Sequence, residues 1–81
     1  METRVAIIGI FVEKIDAAEE VNRVLHEYSD FIIGRMGLPY HKKSVNIISV
    51  AVDAPQDTVS ALSGKLGAID GVSSKAVYSK F

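Results

Sequence analysis

The chain has no cysteine, and among its 81 residues only two prolines and two histidines. Without cysteine there is no disulfide, no thiolate zinc site and no cysteine-ligated iron–sulfur cluster. Charge of one sign is also scarce. The formal net charge is −1 and the isoelectric point near 6.0, which gives no general attraction to nucleic acid or to an anionic membrane. Long hydrophobic runs are missing too: the apolar stretch from Val5 to Val12 falls far short of the roughly 20 residues that span a bilayer. The opening METRVAIIGIFVEK lacks the basic region, apolar run and small-residue cleavage site of a signal peptide. A cytoplasmic protein is expected, with no membrane and no direct nucleic-acid partner.

What the chain does have is apolar content, 48% of residues with a mean hydropathy of +0.22. A chain this short buries only about 60–65% of the surface exposed when unfolded, so its core is thin. Lacking disulfides, it must rely on close packing or on self-association.

Two strand–helix–strand units follow one another, without a linker or low-complexity tract. RVAIIGIFV is a nearly continuous apolar, β-branched run, which marks a strand buried on both faces. Asp16 with Glu19 three residues on has capping-box spacing, and Ala17, Ala18, Val21, Val24, Leu25 and Tyr28 then form one helical stripe. FIIGRMG reads as a second strand, LPYHKKS as a turn and VNIISVAVD as a third strand. Pro55 suits the first turn of a second helix, whose stripe is Val59, Leu62 and Leu66 and whose C-cap is Gly67. Asp70–Gly71 makes a turn into a last strand, VSSKAVYSK.

This order predicts a single α+β domain over residues 1–81. The expected architecture is a ferredoxin-like βαββαβ sandwich with a four-stranded antiparallel sheet and two helices on one face. Right-handed crossovers put the first and third strands in the middle. The first strand then offers Val5, Ile7 and Phe11 to one face and Ala6, Ile8, Ile10 and Val12 to the other. The third offers Val45, Ile47 and Ala51, against Ile48, Val50 and Val52. Two helices cover one face only. The bare apolar face would exceed what soluble monomers expose, so a second copy of the chain is the expected partner, as a homodimer or a dimer of dimers.

The chemistry-bearing residues form no catalytic set. His26 lies on the helix with Asn22, Arg23 and Asp30, away from the apolar stripe, where an imidazolium suits the helix C-terminus. His41 lies in the hairpin turn. Metal sensing by these two residues from different subunits is the alternative to a metal-free reading, although they lack the His-x-x-x-His spacing of one helix. SGKLG fails the phosphate-loop pattern, with Val59 where the first glycine belongs and Leu66 in place of the hydroxyl residue. Glycine inside a helix costs about 1 kcal/mol relative to alanine, so Gly64 needs a reason. Close approach to the sheet, to the other helix or to a neighbouring subunit is one reason, and a ligand is another. Gly9, Gly34 and Gly37 suggest bulges or close backbone contacts. No nucleophile–histidine–carboxylate arrangement emerges, so a non-enzymatic protein without a cofactor is expected.

Nearly the whole chain resembles a known family, the iron-only hydrogenase system regulators found beside the maturation genes of that enzyme. RVAIIGI, VNRVLHEYSDFIIGRMGLPY and IISVAVDAPQDTVSALSGKLGAIDGVSSKAVYSK carry the resemblance, the last most specifically through ALSGKLG and the following GV. The resemblance implies an ACT-like ferredoxin fold and a regulatory or ligand-sensing role. Its further partner would be a hydrogenase-system protein or a small molecule. ACT-type domains hold ligands at subunit interfaces near the first strand–helix loop and the helices, which suggests a pocket around Arg35, Ser63, Gly64 and Lys65. HEYSDFIIG is similar to the opening of the metal site in nickel-responsive repressors, with His26 at the first ligand position. The three remaining ligand positions hold Gly37, Pro39 and Val45, which cannot bind nickel, and His41 is out of register. That resemblance therefore implies a shared scaffold without its metal site. Those repressors carry a DNA-binding segment ahead of this domain, whereas here the sequence starts at the first strand.

Overall fold

A computed structural model describes residues 2–80; Met1 and Phe81, the two ends of the expected domain, lie outside the described residues. Four strands and two helices alternate as β1 (Arg4–Val12), α1 (Ala17–Glu27), β2 (Ile32–Tyr40), β3 (Val45–Ala54), α2 (Gln56–Gly67) and β4 (Val72–Tyr78). The sheet order is β2-β3-β1-β4, all antiparallel. The two most apolar strands are thus the central ones. Serine, lysine and arginine collect on the edges, where one flank of each strand meets water.

The core fills the space between the sheet's inner face and the helices. Ala6, Ile8, Ile10 and Val12 alternate inward from β1, and Ile48, Val50, Val52 and Ala54 from β3. Against them pack Ala17, Val21, Val24 and Leu25 of α1 and Val59, Leu62 and Leu66 of α2, the three- and four-residue spacing that keeps one helix face on the sheet.

Several local expectations are corrected. Asp16 does precede α1, but its own backbone is helical (φ −64°, ψ −23°) and its side chain caps nothing. The first amides are satisfied instead by backbone carbonyls, Ala17 N–H by Lys14 at 2.9 Å and Ala18 N–H by Ile15 at 3.3 Å. Pro55 is the residue before α2 rather than within its first turn, extended at ψ 147°, and its carbonyl accepts from Thr58 and Val59. Gly67 is the last helical residue, followed by Ala68, and the left-handed glycine comes later at Gly71 (φ 82°). The second strand runs past the expected turn to Tyr40, so Leu38, Pro39 and Tyr40 pair with Ile47, Asn46 and Val45. An edge strand tolerates proline because one flank needs no donor. The reversal falls on His41–Lys43 and on Ser44, at φ 52°. The second strand does contain an irregularity, between Ile32 and Gly34.

Candidate functional site

The strand registers define the outer face of the sheet row by row. Leu38, Ile47, Phe11 and Ser73 stand in one line across β2, β3, β1 and β4. Met36, Ser49, Gly9 and Lys75 form the next, and Gly34, Ala51, Ile7 and Val77 the one after. Tyr40 and Val45 extend the surface at one end and Val5 at the other. Among the described residues no helix covers this side. Ile7 is 52% exposed, Leu38 60%, Val77 66% and Met36 68%, while Phe11, Tyr40 and Val5 are also open to solvent. In plan, four strands at ~4.8 Å spacing and seven residues at ~3.4 Å rise cover about 450 Å² before side-chain relief is counted. A face of that size, polar at Ser49, Ser73 and Lys75, matches the largest apolar patches of typical monomers, which are often functional.

The pattern of β1 and β3 announces this face. The contribution of β2 is hidden because Pro39 reads as a turn signal; the alternation Gly34, Met36, Leu38, Tyr40 was the trace of it.

The residues expected around a ligand are dispersed. Arg35 is on β2, facing the helix side, and its Nη2 donates to Asn22 Oδ1 on α1 at 2.8 Å. It borders two clefts. One of about 440 Å³ is shared with Asn22, Leu25, His26, Ser29 and Ile32, and one of about 300 Å³ runs along Gly37, Leu38, Pro39 and Asn46. Ser63, Gly64 and Lys65 belong to α2, which packs toward β4 at the opposite sheet edge from β2. The Ser63 hydroxyl meets that of Ser74 at 3.1 Å, and Ser74 Oγ donates to the Ser63 carbonyl at 2.6 Å, joining α2 to β4. Lys65 holds its ammonium 5.2 Å from the centre of the Tyr28 ring, a cation–π contact beside a cleft shared with Arg23 and Glu27. Gly64 faces open space, since an added Cβ would meet nothing within 4 Å. Close approach to the sheet or to α1 therefore does not explain this glycine. Gly34 and Gly37 are equally open, and Gly9 has only the Lys75 carbonyl, at 4.0 Å.

A fourth cleft, about 390 Å³, lies where the β1–α1 loop meets the β2–β3 turn and is bordered by Glu13, Ile15, Tyr40, His41 and Asn46. Ile15 is 86% exposed there. His26 and His41 border different clefts. Among the described residues no three histidine or carboxylate groups gather as a metal site.

Electrostatics at the surface is local. Lys14 and Asp70 form an ion pair whose hydrogen bond, and then its Coulombic attraction, hold the Asp70 carboxyl below and the Lys14 ammonium above their usual values. Arg23 bridges Glu20 and Glu27 along α1 and is likewise raised, first by the hydrogen bond to Glu20. Arg4 lies 4.7 Å from the centre of the Tyr78 ring and bonds Gln56 and the Ser79 carbonyl. Arg35, with Asn22 as its one side-chain partner among the described residues, and Arg4 both have neutral partners, whereas Arg23 is paired with carboxylates.

Comparison with known proteins places these features. The family "TM1266-like: Iron-only hydrogenase system regulator, putative" matches residues 4–76. The structure is similar to that of the uncharacterized protein TM1266 from Thermotoga maritima, at 40% identity and a TM-score of 0.93, over 98% of this chain and 100% of that one. It also resembles part of a formyltetrahydrofolate deformylase from Pseudomonas putida KT2440. There the identity is 15% and the TM-score 0.64, over 90% of this chain and 28% of that one, a likeness of fold alone. No curated protein matches the chain.

Proposed function

The chain belongs to the TM1266-like family of iron-only hydrogenase system regulators, and on that premise we propose that it is a small non-enzymatic regulator that works as a homo-oligomer and senses a small ligand. The observation that carries this is the outer sheet face, where Ile7, Phe11, Met36, Leu38 and Val77 stand uncovered in consecutive rows. Burial of apolar surface releases about 25 cal/mol per Å², so a face of this size favours a second copy over water. Its roughly 450 Å² in plan, enlarged by side-chain relief, approaches the ~800 Å² per partner of an ordinary stable interface.

The ligand reading is supported by Arg35. Its guanidinium is exposed, carries no carboxylate partner among the described residues and borders two clefts. A planar fork of donors with spare N–H groups suits a carboxylate or phosphate. Ser63 has its hydroxyl engaged with β4, so the α2 part of a ligand site rests on Gly64 and Lys65. The same surface would serve a hydrogenase-system protein as the alternative partner.

Sedimentation at micromolar concentration together with native mass spectrometry tests the reading. A dimer or dimer of dimers is expected, with a small molecule retained in freshly purified protein. A stable monomer sinks the self-association, and bare subunit masses sink the ligand.

The second reading is metal sensing by His26 and His41 from different subunits. One observation favours it: both imidazoles border surface clefts, His26 beside Asn22 and Ser29 and His41 beside Glu13 and Tyr40, where an ion has access to them.

A further inference from the structure

From the side-chain layout of the outer face we infer how two copies meet: sheet on sheet with strands aligned, β1 of one protomer over β3 of the other. This rests on the self-association reading above and adds the pairing. An interface between identical chains related by a two-fold must suit itself, residue i meeting j and j meeting i. Two in-plane axes through the centre of the face are simple choices. An axis running across the strands along the middle row lays Lys75 on the partner's Lys75, two like charges that repel each other at the same open edge. An axis running along the strands, between β1 and β3, does the opposite. It sets Lys75 over the partner's Met36, where the alkyl stem lies along the thioether and the ammonium reaches past the open edge.

Shape is compatible with this axis but does not select it, since the axis across the strands also sets Leu38 over the partner's Gly34 and Val77 over the partner's Ser73. With the axis along the strands, Val77 lies over the partner's Gly34, Ile7 over the partner's Ala51 and Leu38 over the partner's Ser73. Each is a large side chain against a small one. Gly9 and Ser49, opposite each other at the centre, leave a hollow.

The absence of native cysteine makes the pairing directly readable. Positions 36 and 75 sit on opposite edges of one sheet, three strand spacings or about 14 Å apart. Facing sheets lie about 10 Å apart, too far for a direct disulfide but within reach of a short bismaleimide, and a link inside one chain adds no second subunit mass. The double variant Met36→Cys/Lys75→Cys is treated with that cross-linker at micromolar concentration, and the linkages of the covalent dimer are mapped by peptide mass. Most cross-linked protein is expected as a covalent dimer joined 36 to 75. Linkages of 75 to 75 and 36 to 36 overturn the aligned pairing in favour of the crossed axis, and a dimer with no linkage overturns it as well. The second pair, Leu38→Cys/Ser73→Cys, answers the same question if the first variant folds poorly. Sedimentation of the unsubstituted chain keeps the two ideas apart. A monomer there defeats self-association itself, whereas a dimer lacking the 36–75 link defeats only this pairing.

Discussion

The stem of Lys14 crosses directly over Gly71, so closely that a Cβ added to the glycine would stand 2.6 Å from Lys14 Cγ and 2.8 Å from its Cβ. Glu13 N–H also donates to the Gly71 carbonyl at 2.7 Å, so the β1–α1 loop and the α2–β4 turn are held as one unit. Gly71 has φ 82°, a left-handed backbone that a side chain resists. Gly71→Ala is therefore expected to cost on the order of 1–3 kcal/mol, read as a lower midpoint in urea unfolding. An unchanged midpoint refutes the close approach.

The ion pair above that turn gives a pH signature. Asp70 is held below its ordinary value, so its share of stability is present above the unfolded carboxyl's range and is lost as pH falls through the folded one. Lys14 is raised, so its share is present below the unfolded ammonium's range and is lost as pH rises through the folded one. Both groups are exposed and the effect is small. Asp70→Asn is expected to flatten the acid limb of stability against pH slightly and to leave the neutral plateau level.

Gly64 sits in the middle of α2 with free space around its Cα. Gly64→Ala is expected to stabilise the isolated fold by about 0.5–1 kcal/mol. If a ligand or neighbouring copy rests on that glycine, the gain comes with weaker binding or assembly. Thermal unfolding and native mass spectrometry, run together, separate the two effects.

Leu66 and Leu38 occupy opposite sides of the same sheet. Leu66, on the sheet-facing side of α2, is fully buried and Leu38, on β2, is 60% exposed. Leu66→Ala is expected to cost about 2–5 kcal/mol of folding stability. Leu38→Ala changes the stability of a monomer by no more than about 0.5 kcal/mol but weakens self-association, seen as a rise in the dissociation constant on sedimentation. Equal effects of the two on association would refute the outer face as the contact.

For metal, calorimetric titration of tag-free protein with nickel, zinc or iron(II) is expected to show no saturable binding. Saturable binding abolished by His26→Ala and by His41→Ala would establish the second reading.

The parts of this fold legible in the sequence are those with a period. The alternation along Val5 to Val12 and Val45 to Val52 placed both faces of the central strands. The spacing of Val21, Val24 and Leu25, and of Val59, Leu62 and Leu66, placed the helices. Single-residue signals served less well. Asp16 has the identity of a cap, yet Lys14 and Ile15 carbonyls took its work. Pro39 signals a turn in isolation and became strand because its neighbour on one side is solvent. Within one chain Arg35 and the α2 residues of the expected ligand set ride on elements at opposite edges, a separation that no local spacing encodes. Ser63 was taken up by Ser74, eleven residues away in sequence.

Pro39 has one more consequence. β2 is a nine-residue edge strand bearing Ile33, Met36, Leu38 and Tyr40, the kind of border on which further strands stack without limit. A proline in that border removes one amide donor and interrupts such growth. The strand can thus present an apolar face without offering its edge as an unbroken template for further strands.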